Sequence, residues 1–244
     1  MSDFAKGTET GIDCVVNSAS WRTMRNALVI GASGGIGRAV CNALLSRSVH
    51  VVGLSRSENG LDLMQPELAD EMLGRIEGPF DLVLVASGAL EIDGAEPEKT
   101  IRAVSAKAMM DQFALNAVGP ALVLKHAHRL LPRNGRSVFA VLSARVGSIG
   151  DNRLGGWVSY RAAKAAVNQI VHTAAIELAR THKDAICVAL HPGTVKTPFT
   201  QKYLGRHPAV APDEAARDLM QVVDGLRPEQ TGQFFDWAGK PVPW

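Results

Sequence analysis

Tyr160 and Lys164 stand four residues apart in the segment Ser159-Tyr-Arg-Ala-Ala-Lys164, and a phenol beside an ammonium could carry out proton transfer. Residues at this spacing lie on one face of a helix, so the two groups would emerge side by side. A free phenol has a pKa of about 10, and a fixed cation beside it favours the phenolate and lowers that value. A lone pair of this kind is usually an ordinary helix surface. Here Val167 and Val171 continue the same face, which indicates that it looks into the protein.

A glycine-rich turn lies near the start of the chain, where Gly31, Gly35 and Gly37 follow the apolar run Ala27-Leu-Val-Ile30. An apolar-periodic segment begins near Gly35, so the pattern predicts a buried strand, a tight turn and a helix. The free N–H groups and partial positive charge of a helix N-terminus suit a pyrophosphate, and glycines let the backbone approach it closely. The turn therefore predicts a phosphate-binding loop.

The end of the next apolar run, Val51-Val-Gly-Leu-Ser55-Arg56, indicates which dinucleotide this loop would hold. A fold that binds NAD usually places an acidic residue here for the ribose 2′-hydroxyl. Arg56 stands there instead, and its guanidinium could make charge-assisted hydrogen bonds to a 2′-phosphate, with Ser33 and Ser55 as further donors. The alternative is an ordinary surface arginine. This strand end therefore favours NADP(H).

The two motifs, Gly31-x-x-x-Gly35-x-Gly37 and Tyr160-x-x-x-Lys164, together resemble those of the short-chain dehydrogenase/reductase family, and the resemblance covers residues 26–244. Other family positions follow in the same order: Asn116, Ser143 and Pro192-Gly193. Three segments resemble the C-factor-like and carbonyl-reductase-like branch of the family: Leu142–Ser148, Gly155–Trp157 and Phe234–Trp244.

The resemblance implies an NADPH-dependent reduction of an aldehyde or ketone by a catalytic set of Tyr160, Lys164, Ser143 and Asn116. Tyr160 would donate the proton, Lys164 would lower its pKa and hold the nicotinamide ribose, and Ser143 would stabilise the oxyanion. Residues 200–210 would form a substrate lid, with Tyr203, Leu204 and Pro208 among its possible linings. The family also implies the following cofactor-binding residues: Gly31, Ser33, Gly35, Ile36, Gly37, Ser55, Arg56, Asp62, Leu63, Ser87, Gly88, Tyr160, Lys164, Pro192, Gly193, Val195 and Thr197.

Asn116 lies four residues before Pro120 in an apolar segment that is predicted to be helical. A proline cannot donate to the carbonyl four residues earlier, and its ring pushes against that carbonyl. A kink at Asn116 would leave its oxygen free to hold a water, which is the relay role that the family implies. The alternative is an asparagine that is merely tolerated there.

Ser143 departs from the family pattern, which is Ser-Ser-x-x-Gly with the second serine acting on the carbonyl. Here the matching run is Ser143-Ala144-Arg145-Val146-Gly147, so alanine holds that position. Ser143 could replace it after a small shift, and Ser148 is a more remote candidate. Ser143 could also be an ordinary strand-end hydroxyl. The third strand departs too, because it ends Val85-Ala86-Ser87-Gly88 where the family usually reads Asn-Asn-Ala-Gly.

Strand and helix signals alternate from Asn26 to the end of the chain, which predicts a doubly wound (Rossmann) parallel sheet with helices on both faces. We expect a single domain over residues 25–244, with two helices in 97–131 and one long helix over 156–181. Residues 1–24 lack the apolar core of a signal peptide and are rich in Ser, Thr and Gly, so we expect either a flexible N-terminal extension or an initiation site assigned too early.

The composition sets limits on partners. Lys and Arg total 26 against 24 Asp and Glu, a net charge of +2, which does not indicate a nucleic-acid-binding face. Cys14, Cys41 and Cys187 have no metal-ligand spacing, and His126 and His128 cannot share a helix face, so no metal is predicted. We expect a cytoplasmic protein that does not bind membranes, and the family implies a homodimer or homotetramer.

A second hypothesis belongs to a different functional class. Ala144 and the altered third-strand end would also suit an NADP(H)-binding regulatory or signalling protein with vestigial catalysis. The intact set of Tyr160, Lys164 and Asn116 argues against it.

Overall fold

A computed structural model describes residues 24–204 and 208–244, and the predicted N-terminal extension lies almost entirely outside the described residues. The chain forms one six-stranded sheet in the order β2-β1-β3-β4-β5-β6, and every neighbouring pair is parallel. The strands are β1 Asn26–Ile30, β2 His50–Leu54, β3 Leu82–Val85, β4 Ser137–Leu142, β5 Ala185–His191 and β6 Phe234–Asp236. The strand order reverses at β1, so the connections that follow β1 and β3 leave the sheet in opposite directions. The crevice between these connections, at the carboxyl ends of the two strands, is the expected place for a ligand.

Helices connect the strands and cover both faces of the sheet, which confirms the predicted fold class. The α-helices are α1 Gly35–Ser46, α2 Arg56–Asn59, α3 Pro66–Gly74, α4 Ala106–Phe113, α5 Gly119–Lys125, α6 Ala127–Leu130, α7 Val158–Leu178 and α8 Pro212–Gly225. Short 3₁₀ turns lie at Ile101–Ala103, Arg145–Gly147, Gln201–Tyr203 and Pro228–Gln230. Within residues 24–204 and 208–244, no helix is long and apolar enough to cross a membrane.

Two apolar layers enclose the sheet, because alternate residues of each strand point to opposite faces. Leu28, Val83 and Phe139 pack on one face with residues of α3, α5, α6 and α7. Their neighbours pack on the other face with α1 and α8. Strands β1, β3, β4 and β5 are buried on both sides, which is why they are nearly continuous apolar runs in the sequence.

The segment 97–131 differs from the predicted two helices. It begins with a 3₁₀ turn, and α4 starts only after Ser105, whose hydroxyl accepts from the Ala108 N–H at 3.3 Å. A π-helical segment, Ala114–Val118, then joins α4 to α5. Asn116 lies at its centre and Pro120 follows in the first turn of α5. The proline effect predicted at Asn116 therefore takes the form of a π segment, a known response to a broken hydrogen-bond ladder.

Candidate active site

A cleft of about 920 Å³ opens at the carboxyl ends of the strands. Its walls come from the turn after β1, the segments after β3, β4 and β5, and the first turns of α7. Tyr160, Lys164 and the glycine turn, which are far apart in sequence, share this cleft. The structure thus brings together the two motifs that the sequence singled out.

Tyr160 and Lys164 lie in successive turns on the inner face of α7, as their spacing predicts. The exposed fraction of Tyr160 is 5% and that of Lys164 is 3%. The Lys164 Nζ atom donates to the Leu142 carbonyl at 3.0 Å and lies 5.7 Å from the centre of the Tyr160 ring. The Tyr160 hydroxyl makes no hydrogen bond to another residue of the described chain and is not enclosed, so its proton is available to a ligand in the cleft.

Burial shifts the pKa values of these two groups in opposite directions. It raises the pKa of Tyr160, because the phenolate would lose its hydration. It lowers the pKa of Lys164 to about 8, because the ammonium would lose its hydration. The sequence predicted that Lys164 would lower the pKa of Tyr160, and in this structure burial reverses that expectation. The phenol therefore remains protonated at neutral pH.

The glycine turn has the shape that a phosphate loop requires. Gly31 has a φ of +87°, and a Cβ there would lie 2.8 Å from the Ser87 backbone nitrogen. A Cβ at Gly37 would lie 2.2 Å from the Gly31 oxygen, so α1 can pack against the turn only with glycine at this position. The first turn of α1 carries no acidic side chain. No carboxylate of this turn therefore competes with an anionic ligand for the free N–H groups at the start of α1.

The remaining predicted cofactor residues divide into two groups. Several line the cleft: Ser33, Gly35, Ile36, Gly37, Ser87, Gly88, Pro192, Gly193, Val195 and Thr197. The others lie outside its lining: Gly31, Ser55, Arg56, Asp62 and Leu63. Ser55 caps α2 by accepting from the Glu58 N–H at 3.3 Å, and the Asp62 carboxylate accepts from the Met64 N–H at 3.0 Å.

Arg56 is exposed at the carboxyl end of β2, in the first turn of α2. A nearby cation that the sequence analysis passed over is Arg38, whose side chain lies 3.5 Å from Glu58 and 3.4 Å from the Ser33 carbonyl. Arg38 is paired with an acid, whereas no described acidic residue forms an ion pair with Arg56. Arg56 is therefore the freer of the two for a phosphate.

Asn116 is fully buried and braces the chain after β3. Its Nδ2 atom donates to the Ala89 carbonyl at 3.0 Å, and its Oδ1 atom accepts from the Ala89 N–H at 3.3 Å. Gln112 accepts a further bond from Nδ2 at 2.8 Å. A Cβ at Gly88 would lie 2.8 Å from the Asn116 Oδ1 atom, so glycine is required there. This contact fastens the altered third-strand end, where the family's usual asparagines are missing.

Ser143 lines the cleft, but its hydroxyl is engaged elsewhere. Its Oγ atom donates to the Asn168 Oδ1 atom at 2.6 Å, and both residues are buried. The Ser143 N–H continues the ladder to β5 by donating to the Leu190 carbonyl at 2.8 Å, so the chain has not bulged before it. Ala144 is half-buried and lines the cleft. Ser148 donates to the Pro243 carbonyl and is likewise engaged.

The predicted lid is partly described, because residues 205–207 lie outside the described residues. Its first part is anchored to the segment after β3: Lys202 and Tyr203 both donate to the Glu91 carboxylate at 2.7 Å. Its far end pairs with the chain after β5, where the Val210 N–H donates to the Thr194 carbonyl at 3.0 Å. Leu204 and Pro208, which the sequence suggested as linings, do not contribute to the cleft wall.

Three residues that sequence reasoning passed over are placed at this site. Asn168 holds Ser143, Glu98 caps the start of α7, and Trp157 lines the cleft beside Tyr160. Asn168 lies eight residues after Tyr160, so continuing the helix face by another turn would have found it. Glu98 has no signal in the sequence, because its partner Ser159 is 61 residues away.

The sequence matches a family model described as Enoyl-(Acyl carrier protein) reductase over residues 31–230. It is 28% identical over 237 residues to 1-hydroxy-2-glutathionyl-2-methyl-3-butene dehydrogenase of Rhodococcus sp., covering 91% of this chain and 100% of the relative. It is 35% identical over 137 residues to C-signal of Myxococcus xanthus, covering 56% of this chain and 78% of the relative.

The fold is also similar to that of solved structures. A putative short-chain dehydrogenase/reductase from Burkholderia multivorans, solved with bound NADP, has a TM-score of 0.72 and 26% identity, covering 91% of this chain and 100% of the other. A carbonyl reductase from Pseudomonas aeruginosa PAO1 has a TM-score of 0.70 and 25% identity, with coverage of 91% and 100%.

Proposed function

Because the chain belongs to the short-chain dehydrogenase/reductase family, we propose that it is an NADPH-dependent reductase of aldehydes or ketones. The observation that carries the proposal is the buried pair of Tyr160 and Lys164 in the same cleft as the glycine turn. The similar structures described as a carbonyl reductase and as an NADP complex support it.

The reaction is R₂C=O + NADPH + H⁺ → R₂CHOH + NADP⁺. NADPH, when bound, supplies the hydride to the carbonyl carbon. Tyr160 donates its hydroxyl proton to the oxygen, which becomes the alcohol, and the phenolate regains a proton from solvent. The Lys164 ammonium stabilises the phenolate while the proton is absent. As the family resemblance implies, the Asn116 carbonyl would hold a water that returns the proton by way of Lys164.

The residues at the cleft fit a phosphorylated dinucleotide. The N–H groups at the start of α1 would hold the pyrophosphate, because Gly34 and Gly35 carry no side chain of their own there and the first turn has no acidic residue. Arg56 would bind the 2′-phosphate from the end of β2. Pro192, Gly193, Val195 and Thr197 would border the nicotinamide, as the family resemblance implies, and they line the same cleft.

The protonation states suit the direction of reduction. A raised pKa keeps Tyr160 protonated, as a general acid requires before it reacts. The pKa of about 8 for Lys164 leaves the ammonium mostly charged at neutral pH. The cation is then present where negative charge develops on the phenol oxygen.

The first prediction concerns pH. Since Lys164 loses its charge above its pKa of about 8, kcat/KM for NADPH should stay level at neutral pH and fall as the pH rises through about 8. Tyr160 is not the group responsible, because burial raises its pKa. Steady-state rates across pH measure the profile. The guanidinium of the Lys164→Arg variant stays charged in this pH range, so the variant should be less active but its kcat/KM should not fall as the pH rises through about 8. A fall that persists in this variant would show that Lys164 is not the titrating group.

The second prediction concerns the missing serine. Because Asn168 already accepts from the Ser143 hydroxyl, Ser143→Ala should change kcat by less than about threefold while lowering stability by about 1–3 kcal/mol. Ala144→Ser should raise kcat by adding a donor at the cleft wall. Both variants are measured on one ketone together with thermal unfolding. A fall of about 100-fold for Ser143→Ala would restore Ser143 as the oxyanion donor.

An NADP(H)-binding regulatory protein with little turnover is the second candidate. Ala144, and the similarity to C-signal over 56% of the chain, favour it. A panel of aldehydes, ketones and quinones with NADPH separates the two candidates. Turnover that depends on Tyr160 supports the reductase, whereas tight NADPH binding without turnover of any carbonyl supports the regulatory protein.

We expect the protein to assemble through α4 and α7. Exposed apolar side chains include Met110 on α4, Val118 in the π segment that follows α4, and Ile176 on α7. The sequence resemblance implies a homodimer or homotetramer, for which these faces are suited. Sedimentation measures the assembly state directly.

A further inference from the structure

The turn that leads into α7 has an unusual backbone at Trp157. Gly155, Gly156 and Trp157 have φ values of +65°, +67° and +52° in succession. Glycine adopts this left-handed conformation without a steric penalty, whereas a bulky side chain is strained in it. The backbone conformation at Trp157 would therefore favour glycine, as at the two preceding residues, yet this position carries a large side chain. The strain indicates that the indole itself has a role.

Contacts from distant residues hold this conformation. The Trp157 N–H donates to the Glu98 carbonyl at 2.5 Å, and the Glu98 carboxylate accepts from the Ser159 N–H at 3.2 Å and from its hydroxyl. The Arg161 Nε atom donates to the Gly156 carbonyl at 2.9 Å. These bonds fix the direction of the indole as well as the start of α7.

The indole stands between two tyrosines in the cleft. Its ring centre is 6.3 Å from that of Tyr160 and 5.5 Å from that of Tyr203, and both pairs meet edge to face. Tyr203 is held in place because its hydroxyl donates to Glu91 at 2.7 Å. The apolar side chains of Leu154 and Phe199 also line the cleft. An aromatic wall thus lies beside the group that donates the proton.

We propose that Trp157 is a specificity-determining residue that selects carbonyl compounds carrying an aromatic ring next to the carbonyl group. The inference rests on the proposed reductase function and adds the substrate class. An aromatic ring placed against the indole packs edge to face or offset, as the two tyrosines already do. The carbonyl group of the substrate, attached to that ring, would then face the hydroxyl of Tyr160, which lies three residues after Trp157 in the chain. A saturated ring of the same size lacks the flat face for this contact.

The test compares benzaldehyde with cyclohexanecarbaldehyde, which have rings of similar size but different shape. The variants are Trp157→Gly, which suits the left-handed backbone, and Trp157→Phe, which keeps an aromatic ring. Trp157→Gly should lower the ratio of the two kcat/KM values, aromatic over saturated, by about tenfold. Trp157→Phe should keep the ratio within about threefold. Ser48→Gly, with a φ of 59° at an exposed site outside the cleft lining, is the matched control for backbone relief and should leave the ratio unchanged.

Calorimetric binding of the product alcohols, benzyl alcohol and cyclohexylmethanol, to the NADP⁺-loaded protein gives a second reading that does not need turnover. Selective loss of benzyl alcohol affinity in Trp157→Gly supports the proposal even if the wild type reduces neither aldehyde, in which case the reductase function alone fails. An equal loss for both ligands shows a structural role and overturns the proposal. An unchanged ratio in Trp157→Gly overturns it as well.

Discussion

Replacing Tyr160 with phenylalanine is expected to lower kcat for carbonyl reduction by about 100-fold or more. The change removes only the hydroxyl, which makes no hydrogen bond to another described residue, so the fold and the affinity for NADPH should be preserved. Without the hydroxyl, the developing alkoxide loses the proton donor that the proposed mechanism assigns to it. Initial rates at saturating NADPH measure the loss.

The chain has one other tyrosine, Tyr203, which makes Tyr203→Phe the matched control. Its hydroxyl is bound to Glu91, so its removal should cost at least tenfold less in kcat than that of Tyr160. Far-ultraviolet circular dichroism and thermal unfolding verify that both variants fold. If Tyr160→Phe retained activity within a few-fold of wild type, Tyr160 would not be the proton donor.

Replacing Arg56 with alanine is expected to reduce kcat/KM for NADPH by about 10- to 100-fold. This corresponds to the loss of a charge-assisted hydrogen bond of about 1.5–3 kcal/mol to the 2′-phosphate. NADH lacks this phosphate, so its kcat/KM should be nearly unchanged. The cofactor preference, measured as the ratio of the two values, would then approach one.

Arg47→Ala provides the control, since Arg47 is an exposed arginine at the far end of α1 that pairs with Asp224. It should leave the cofactor preference as it is. Equal losses with NADPH and NADH in Arg56→Ala would mean that Arg56 supports the fold of this edge rather than the phosphate. Arg38 would then be the next residue to test, because it lies beside the glycine turn.

The sheet and the two main motifs could be predicted because their signals are local. The apolar run Ala27–Ile30 forms most of the buried strand β1, as predicted, and the spacing of Tyr160 and Lys164 placed both in the cleft. The π segment at Asn116 was foreshadowed by Pro120, since the missing N–H of a proline acts on a carbonyl at a known separation.

Contacts between distant segments account for what could not be predicted. The engagement of Ser143 depends on Asn168, 25 residues later, and the cap on α7 depends on Glu98, 61 residues from Ser159. The direction of the Tyr160 pKa shift depends on how deeply the phenol is buried, and the spacing between Tyr160 and Lys164 in the sequence carries no information on that burial. The left-handed backbone of Trp157 could not be inferred either, because its neighbouring glycines are compatible with many turns.

Transfer of deuterium to a carbonyl substrate, from NADPH in which both hydrogens at the reactive nicotinamide carbon are replaced, reports the proposed hydride step itself. Mass spectrometry of the product alcohol is the readout, with benzaldehyde as substrate and Tyr160→Phe as the matched inactive protein. The proposed mechanism predicts an alcohol that is one mass unit heavier than the product formed with unlabelled NADPH and that bears the label on the former carbonyl carbon. The variant should form little product. NADPH binding without any labelled alcohol from the wild-type protein, across aldehydes, ketones and quinones, would contradict it.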